Sequence, residues 1–164
     1  MVGLFRDLQI ARFNELYYQR RSASMHRWAV SANIVSAISA SAVLLNLLKD
    51  GGSPLGFGPG VWQLLTGLAA VSAAVGPILG WERKASQFEK ASLGHGIVRE
   101  RIRSLLIDLK LSALDESHRA RQQEIEAVRL SLLALDEPAS EKLKEKCWEQ
   151  TLQEIPSDRA WTLL

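Results

Sequence analysis

Apolar positions are concentrated in two long runs, and charged positions lie outside them. Residues 28–48 and residues 61–81 are each 21 residues long and contain no Asp, Glu, Lys or Arg. A helix of about 20 residues rises about 30 Å, which matches the hydrocarbon thickness of a bilayer. The pattern predicts an all-α membrane protein, in which transmembrane helices 28–48 and 61–81 form a hairpin around an external loop, 49–60.

Tryptophans mark the ends of both runs, at Trp28, Trp62 and Trp81. Indole rings are enriched at the level of the lipid headgroups. The alternative is a soluble helical bundle with these segments as its central helices, and the serines and two asparagines of the first run are compatible with it. Because helices of a small soluble bundle usually carry charge on a water-facing side, we favour the hairpin. No cleavable signal peptide is expected, since the first apolar run begins only at Trp28.

Basic residues flank the two runs on the same side of the predicted membrane. Arg20, Arg21 and Arg27 precede the first run, and Arg83 and Lys84 follow the second. The loop carries one lysine and one aspartate among many glycines and prolines. The positive-inside rule therefore predicts that both ends of the chain lie in the cytoplasm.

Small residues of the second run predict how the hairpin packs. They recur at spacings of three and four, at Ala69, Ala73, Gly76 and Gly80. Such ridges let membrane helices approach closely, because lipid provides no hydrophobic drive for their association. Pro77 lacks an amide hydrogen and predicts a kink.

Polar residues of the first run form a stripe of Ser36, Ser39 and Asn46 with Val43 between them. One interpretation is that the hydroxyls bond back to their own helix or across to its partner. The other is that the stripe lines a wet lumen in an oligomer. Neither run contains an ionisable side chain, which argues against a proton relay or a coupled transporter.

The N-terminal segment, 1–27, is predicted to be an amphipathic helix. Its apolar side comprises Leu4, Leu8, Phe13, Leu16 and Tyr17, and its basic side Arg6, Arg12, Arg20 and Arg21. Such a helix can bind anionic headgroups. Alternatively, it packs on the C-terminal tail.

The tail, 82–164, is predicted to be a series of amphipathic cytoplasmic helices. We expect the helix of the second run to continue into it, weakened locally at Gly94 and Gly96. Asp115 is a candidate cap, and Pro138 suits a helical first turn. The expected apolar positions are Ile102, Leu105, Leu106 and Leu109, then Ile125, Val128, Leu132 and Leu135, then Leu143, Cys147 and Leu152.

Catalytic chemistry finds little support in the sequence. Residues 1–114 have a basic excess (13 Lys/Arg against 7 Asp/Glu), and residues 115–164 have an acidic excess (7 against 11). We expect the basic residues to bind lipid headgroups and not nucleic acid. Cys147 cannot form a disulfide within the chain and is expected to fill a helix face. The histidines, His26, His95 and His118, lack metal-ligand spacing. The glycines of 51–60 do not form a phosphate loop, because no Lys-Ser or Lys-Thr pair follows them. We expect neither an enzyme nor a cofactor or metal site.

The order of these features resembles the SLATT family of two-helix bacterial membrane effectors. The resemblance rests on Tyr17-Tyr18-Gln19-Arg20-Arg21, on His26-Arg27 before a serine-rich span, and on Trp81-Glu82-Arg83-Lys84 leading to Phe88-Glu89-Lys90. It covers residues 8–114. It implies an inner-membrane protein in antiphage defence, which forms a homo-oligomer and depolarises the cell when a nucleotide-synthesising or nucleotide-sensing partner detects infection.

Three functional hypotheses follow. The first is an oligomeric, pore-forming effector. The second is a non-conducting membrane anchor whose tail recruits a soluble partner. The third is a holin-like lysis protein, for which a tail of this length is unusual.

Overall fold

The computed structural model is all-helical over the part of the chain that it describes. It describes residues 2–48, 60, 63–64, 66–67, 70–71, 80–111, 115–132 and 140–156, except for the side chains of residues 2, 39–40 and 42–48. Within these ranges there are four α-helices with defined bounds and no β-strand. They are α1 (Val2–Leu48), α2 (Trp81–Leu111), α3 (Glu116–Leu132) and α4 (Glu141–Glu154). Residues 60, 63–64, 66–67 and 70–71 are also helical.

Helix α1 is a single element of 47 residues. It contains both the predicted amphipathic segment and the first predicted span, without an interruption at residue 27. No Gly or Pro occurs between Gly3 and Leu48, so none of the strongest helix breakers is present to divide the helix.

Contacts divide the chain into two compact units. The bundle unit consists of Met1–Arg21 with Gln87–Leu164, and the central unit is Ser22–Ser86. The large core lies in the bundle unit, where Leu8 and Ala11 of α1 pack against α2 and α3. The α2 stripe expected from the sequence is confirmed as the centre of this core, since Ile102, Leu105, Leu106 and Leu109 are all buried.

A second cluster in the bundle unit joins α1 to α4. It consists of Leu16 and Tyr17 of α1 with Cys147 of α4, and Phe13 and Leu143 pack against it. Of the two alternatives for the N-terminal segment, packing on the tail is therefore the one that the structure shows. The predicted role of Cys147 as a filler of a helix face is also confirmed, because its side chain is fully buried.

The predicted start of α3 is confirmed in detail. Asp115 Oδ1 accepts a hydrogen bond from the backbone N–H of His118 at 3.1 Å and another from the Ser117 hydroxyl at 2.6 Å. Amide groups in the first turn of a helix lack intrahelical partners, and an aspartate cap supplies one. Ile125, Val128 and Leu132 face the core as expected, and Leu135 lies outside the described residues.

Helix α4 carries Leu143, Cys147 and Leu152 as predicted, and it begins at Glu141 after Ser140. Pro138 lies outside the described residues.

Helix α2 begins at Trp81, directly after a glycine that is not helical. Gly80 forms a turn with φ of 57°, and its carbonyl accepts the Lys84 amide at 2.9 Å. Glycine adopts positive φ without the steric penalty of a Cβ atom. The expectation of an uninterrupted helix from the second run into the tail is wrong at this residue. Gly94 and Gly96, in contrast, lie within an unbroken α2.

Among the described residues, no helix combines the length and the apolar character needed to cross a membrane.

Candidate functional site

The described part of the central unit exposes its large apolar side chains. Ile34 and Ile38 of α1 are 53% and 61% exposed, and Leu64 and Val71 are also exposed. The buried apolar residues found here are two alanines, Ala29 and Ala85. The bundle unit also exposes some large apolar side chains, Leu93 and Leu111 among them, but unlike the described part of the central unit it buries leucines, isoleucines and a valine in its clusters.

The central unit brings the first turns of α2 beside the middle of α1. The rings of Trp28 and Trp81 lie 6.2 Å apart, and the Ser22 hydroxyl donates to the Ala85 carbonyl at 3.0 Å. The Asn33 amide reaches Glu82 Oε1 at 3.4 Å. Trp28 and Trp81, two of the tryptophans predicted to mark span ends, are therefore neighbours in this unit.

Three of the four residues of the predicted lumen stripe have side chains outside the described part of the chain. These are Ser39, Val43 and Asn46, whose backbone is helical. Ser36 is described and is half-buried. Its neighbour Ser41, off the stripe, donates its hydroxyl to the Ala37 carbonyl at 2.8 Å. That bond is of the kind expected if hydroxyls bond back to their own helix.

Most of the predicted packing ridge also lies outside the described residues. Ala69, Ala73, Gly76 and the kink residue Pro77 belong to this group. Gly80 is described, and it forms the turn before α2 rather than part of a helical ridge.

The predicted interfacial basic residues fall in both units. Arg27 and Arg83 of the central unit are exposed, and Lys84 is half-buried. Arg20 and Arg21 lie in the bundle unit, where the Arg21 guanidinium stands 5.0 Å from the centre of the Phe88 ring. Arg20 donates one hydrogen bond to Cys147 Sγ at 3.4 Å and another to Gln150 Oε1. These two arginines therefore have partners within the folded tail.

A polar network continues from Arg20 along the interface of α1 and α4. Gln150 donates to Glu154 at 2.8 Å, and Glu154 accepts from Arg12 Nε at 2.6 Å. The hydrogen bond from Arg12 lowers the pKa of Glu154, and the same bond raises the pKa of Arg12. Glu15 pairs with both Arg12 and Arg99, at 3.1 and 2.8 Å. The sequence does not predict this network, because Arg12 and Arg20 lie more than 120 positions from their partners in α4.

An aromatic stack joins α1 to α2 in the bundle unit. The ring of Tyr18 lies parallel to the imidazole of His95, and Phe88 stacks on Tyr18 with ring centres 6.0 Å apart. Burial lowers the pKa of His95 to about 4. A neutral imidazole suits this environment, because a buried charge without a partner is costly.

The described residues contain no group of three or more His, Cys, Asp or Glu side chains that could hold a metal ion. His118 is engaged with Asp115 at 2.7 Å. The burial of Cys147 raises the pKa of its thiol, which Arg20 only partly opposes. Within the described part of the chain, His118 therefore belongs to a helix cap, His95 to an aromatic stack and Cys147 to a core.

Comparison with family models, with curated proteins and with solved structures gives no match for this chain.

Proposed function

We propose that the chain is an oligomeric inner-membrane effector in which segments 28–48 and 61–81 form a transmembrane hairpin. In this proposal, protomers assemble side by side, and a signal shifts them from a closed to an open packing that depolarises the cell. Such a shift requires that the signal bind the two packings with different affinity. The resemblance to the SLATT family points to a nucleotide-synthesising or nucleotide-sensing partner as its source.

The observation that carries the proposal is the exposure of apolar side chains on α1 in the central unit. Trp28, Ile34 and Ile38 are each more than half exposed. Covering one large aliphatic side chain is worth about 1.5–3 kcal/mol, and contiguous exposed apolar surface marks a membrane or partner contact. The absence of charge from residues 28–48 and 61–81 favours lipid as the main cover.

Membrane association is tested by extracting membranes of expressing bacteria with alkaline carbonate. We expect the full chain to stay in the pellet. Ile38→Lys should shift it toward the supernatant, because a lysine near the centre of a span costs about 2.5–3.5 kcal/mol. Gln123→Lys, on an exposed position of α3, is the matched control. Complete release of the unaltered chain would refute the hairpin.

Conduction is tested separately, with a potential-sensitive dye during controlled expression. We expect depolarisation, and we expect Ser36→Leu, Ser39→Leu or Asn46→Leu to reduce it. Ser104→Leu, at an exposed position of α2, should leave it unchanged. An effect that is equal for all four variants would contradict a lumen lined by the stripe.

A second candidate function is a non-conducting anchor that recruits a soluble partner. It is favoured by the bundle unit, in which the tail helices and α1 share a core and in which Leu130 of α3 and Trp148 of α4 are exposed. A membrane-bound chain that leaves the potential intact at high expression, with candidate nucleotide partners present, would support this function over the pore.

A further inference from the structure

The bundle unit contains a cavity of about 270 Å³ at the C-terminal end of α4. Its apolar wall consists of Phe5 and Leu8 of α1, Leu106 of α2 and Ile155. Its polar wall consists of three arginines and one carboxylate, Arg12, Arg99, Arg103 and Glu154. Small-molecule sites are typically apolar clefts of about 300–1,000 Å³ with a few charged groups. This cavity resembles a small member of that class.

Two of the arginines are held in place by carboxylates. Arg12 Nε donates to Glu154 at 2.6 Å, and Arg99 Nη1 lies 2.8 Å from Glu15 Oε2. The side chains of Arg12 and Arg99 are 19% and 25% exposed. Because both guanidinium groups already have acidic partners, the third arginine of the lining is the one left to bind an incoming anion.

Arg103 differs from them, because no acidic side chain of the described residues pairs with it. It follows Arg99 by one turn on the same face of α2, and like charges at this spacing repel each other. An anion at the mouth of the cavity would relieve that repulsion and give Arg103 a partner.

We propose that this cavity binds a small organic monocarboxylate with an aromatic or branched aliphatic body. Its carboxylate would accept hydrogen bonds from Arg103, in the bidentate geometry that guanidinium groups favour. Its apolar body would lie against Phe5, Leu8 and Leu106, which leaves the existing pair of Arg12 and Glu154 intact.

The lining disfavours phosphate and nucleotides. Glu154 and Glu15 pair with Arg12 and Arg99, so among the described residues Arg103 contributes the one uncompensated positive charge of this group, which matches a monoanion better than a dianion. The lining residues contribute no amide or hydroxyl side chain, so the polar edge of a base would lose hydrogen bonds to water with few replacements. Unpaired polar groups of this kind cost about 1–3 kcal/mol each. A carboxylate on an apolar body has no such edge.

The test is calorimetric titration of the full-length protein, in phosphatidylcholine nanodiscs or, if the chain does not enter lipid, in buffer. The probe is 3-phenylpropionate, beside its neutral analogue 3-phenylpropanol, inorganic phosphate and adenosine monophosphate. We expect only the carboxylate to bind. Arg103→Gln should weaken its binding at least about tenfold, the loss expected for one charge-assisted hydrogen bond.

Two further variants keep the result interpretable. Arg103→Lys retains the charge but cannot form the bidentate pair, so it should bind more weakly than the unaltered chain and more tightly than Arg103→Gln. Arg101→Gln removes an exposed arginine of α2 that pairs with Glu124 at 2.7 Å and does not line the cavity, so it should change nothing. Equal binding of the alcohol, tighter binding of either phosphate compound, unaltered affinity of Arg103→Gln, or no binding of the carboxylate would each overturn the proposal. None of these readouts depends on conduction.

Discussion

The ring of Tyr18 lies parallel to the imidazole of His95, with centres 5.5 Å apart and planes 3° from parallel. His95 is 2% exposed, and burial lowers its pKa from 6.5 to about 4. The unfolded chain therefore takes up a proton at a higher pH than the folded chain does. The stability that results is complete above pH 6.5 and is lost as the pH falls toward 4.

We predict that the free energy of unfolding decreases by on the order of 3 kcal/mol between pH 6.5 and pH 4 on account of this residue. His95→Phe retains a ring that cannot titrate, so its stability should fall much less over this range. Denaturant unfolding at several pH values measures the difference. His26→Phe, at an exposed position, is the control, and parallel curves for the His95→Phe and unaltered chains would contradict the prediction.

The two glycines of α2 should respond differently to alanine. A Cβ atom at Gly96 would lie 3.5 Å from Glu15 Oε1, an ordinary contact, whereas one at Gly94 would lie 2.5 Å from Leu132 Cδ2. Gly96→Ala should raise the free energy of unfolding by about 1 kcal/mol through helix propensity alone. Gly94→Ala should forfeit that gain, because Leu132 must leave its place against the core.

A double-mutant cycle checks this explanation for Gly94. In a Leu132→Ala background the obstructing atoms are gone, so Gly94→Ala should become stabilising. Equal stabilisation by Gly94→Ala with and without Leu132 would show that the close approach has no energetic weight.

Two buried hydroxyl groups allow a matched comparison of hydrogen bonds. Tyr17 Oη is buried and has no hydrogen-bond partner among the described residues, whereas the Thr151 hydroxyl donates to the Cys147 carbonyl at 2.8 Å. Tyr17→Phe should leave the free energy of unfolding unchanged or raise it by up to about 1 kcal/mol, and Thr151→Val should lower it by about 1 kcal/mol. Chemical denaturation of both variants gives the comparison, and a loss for Tyr17→Phe as large as that for Thr151→Val would contradict it.

The Cys147 thiol should be unreactive in the folded protein. It is fully buried, and burial raises its pKa above the usual value, so both access and thiolate content are low. We expect an aromatic disulfide reagent at pH 8 to react only as fast as the bundle opens. Arg20→Gln removes a hydrogen bond across this interface and should speed the reaction. Immediate stoichiometric reaction of the unaltered protein would contradict the packing of α4 on α1.

The local features of the fold were predictable from the sequence. The cap at Asp115 depends on residues within three positions of it, and the core stripe of α2 follows from helical spacing around Ile102. The turn at Gly80 could not be predicted, because small residues at helical spacing indicate a helix and not a positive φ. The sequence identifies Gly94 only as a weak point of α2, because its role in admitting Leu132 depends on a neighbour 38 positions away.

The partners of the arginines could not be predicted in the same way. The charge of Arg20 and its place before an apolar run predict a position at the membrane surface, yet its guanidinium contacts Cys147 and Gln150. Sequence separations of 127 and 130 residues carry no periodic signal. Such pairs become visible only when the helices that carry them are placed side by side.

The bundle unit is assembled from both ends of the chain, as the bonds from Gln9 to Ile155 and from Arg12 to Glu154 illustrate. Those residues are 146 and 142 positions apart, so at about 5–20 residues per second a ribosome completes α4 roughly 7 to 30 s after the first turns of α1. Residues 22–86 leave the exit tunnel within that interval. Any targeting factor or translocation machinery would therefore meet this apolar stretch before the bundle can close.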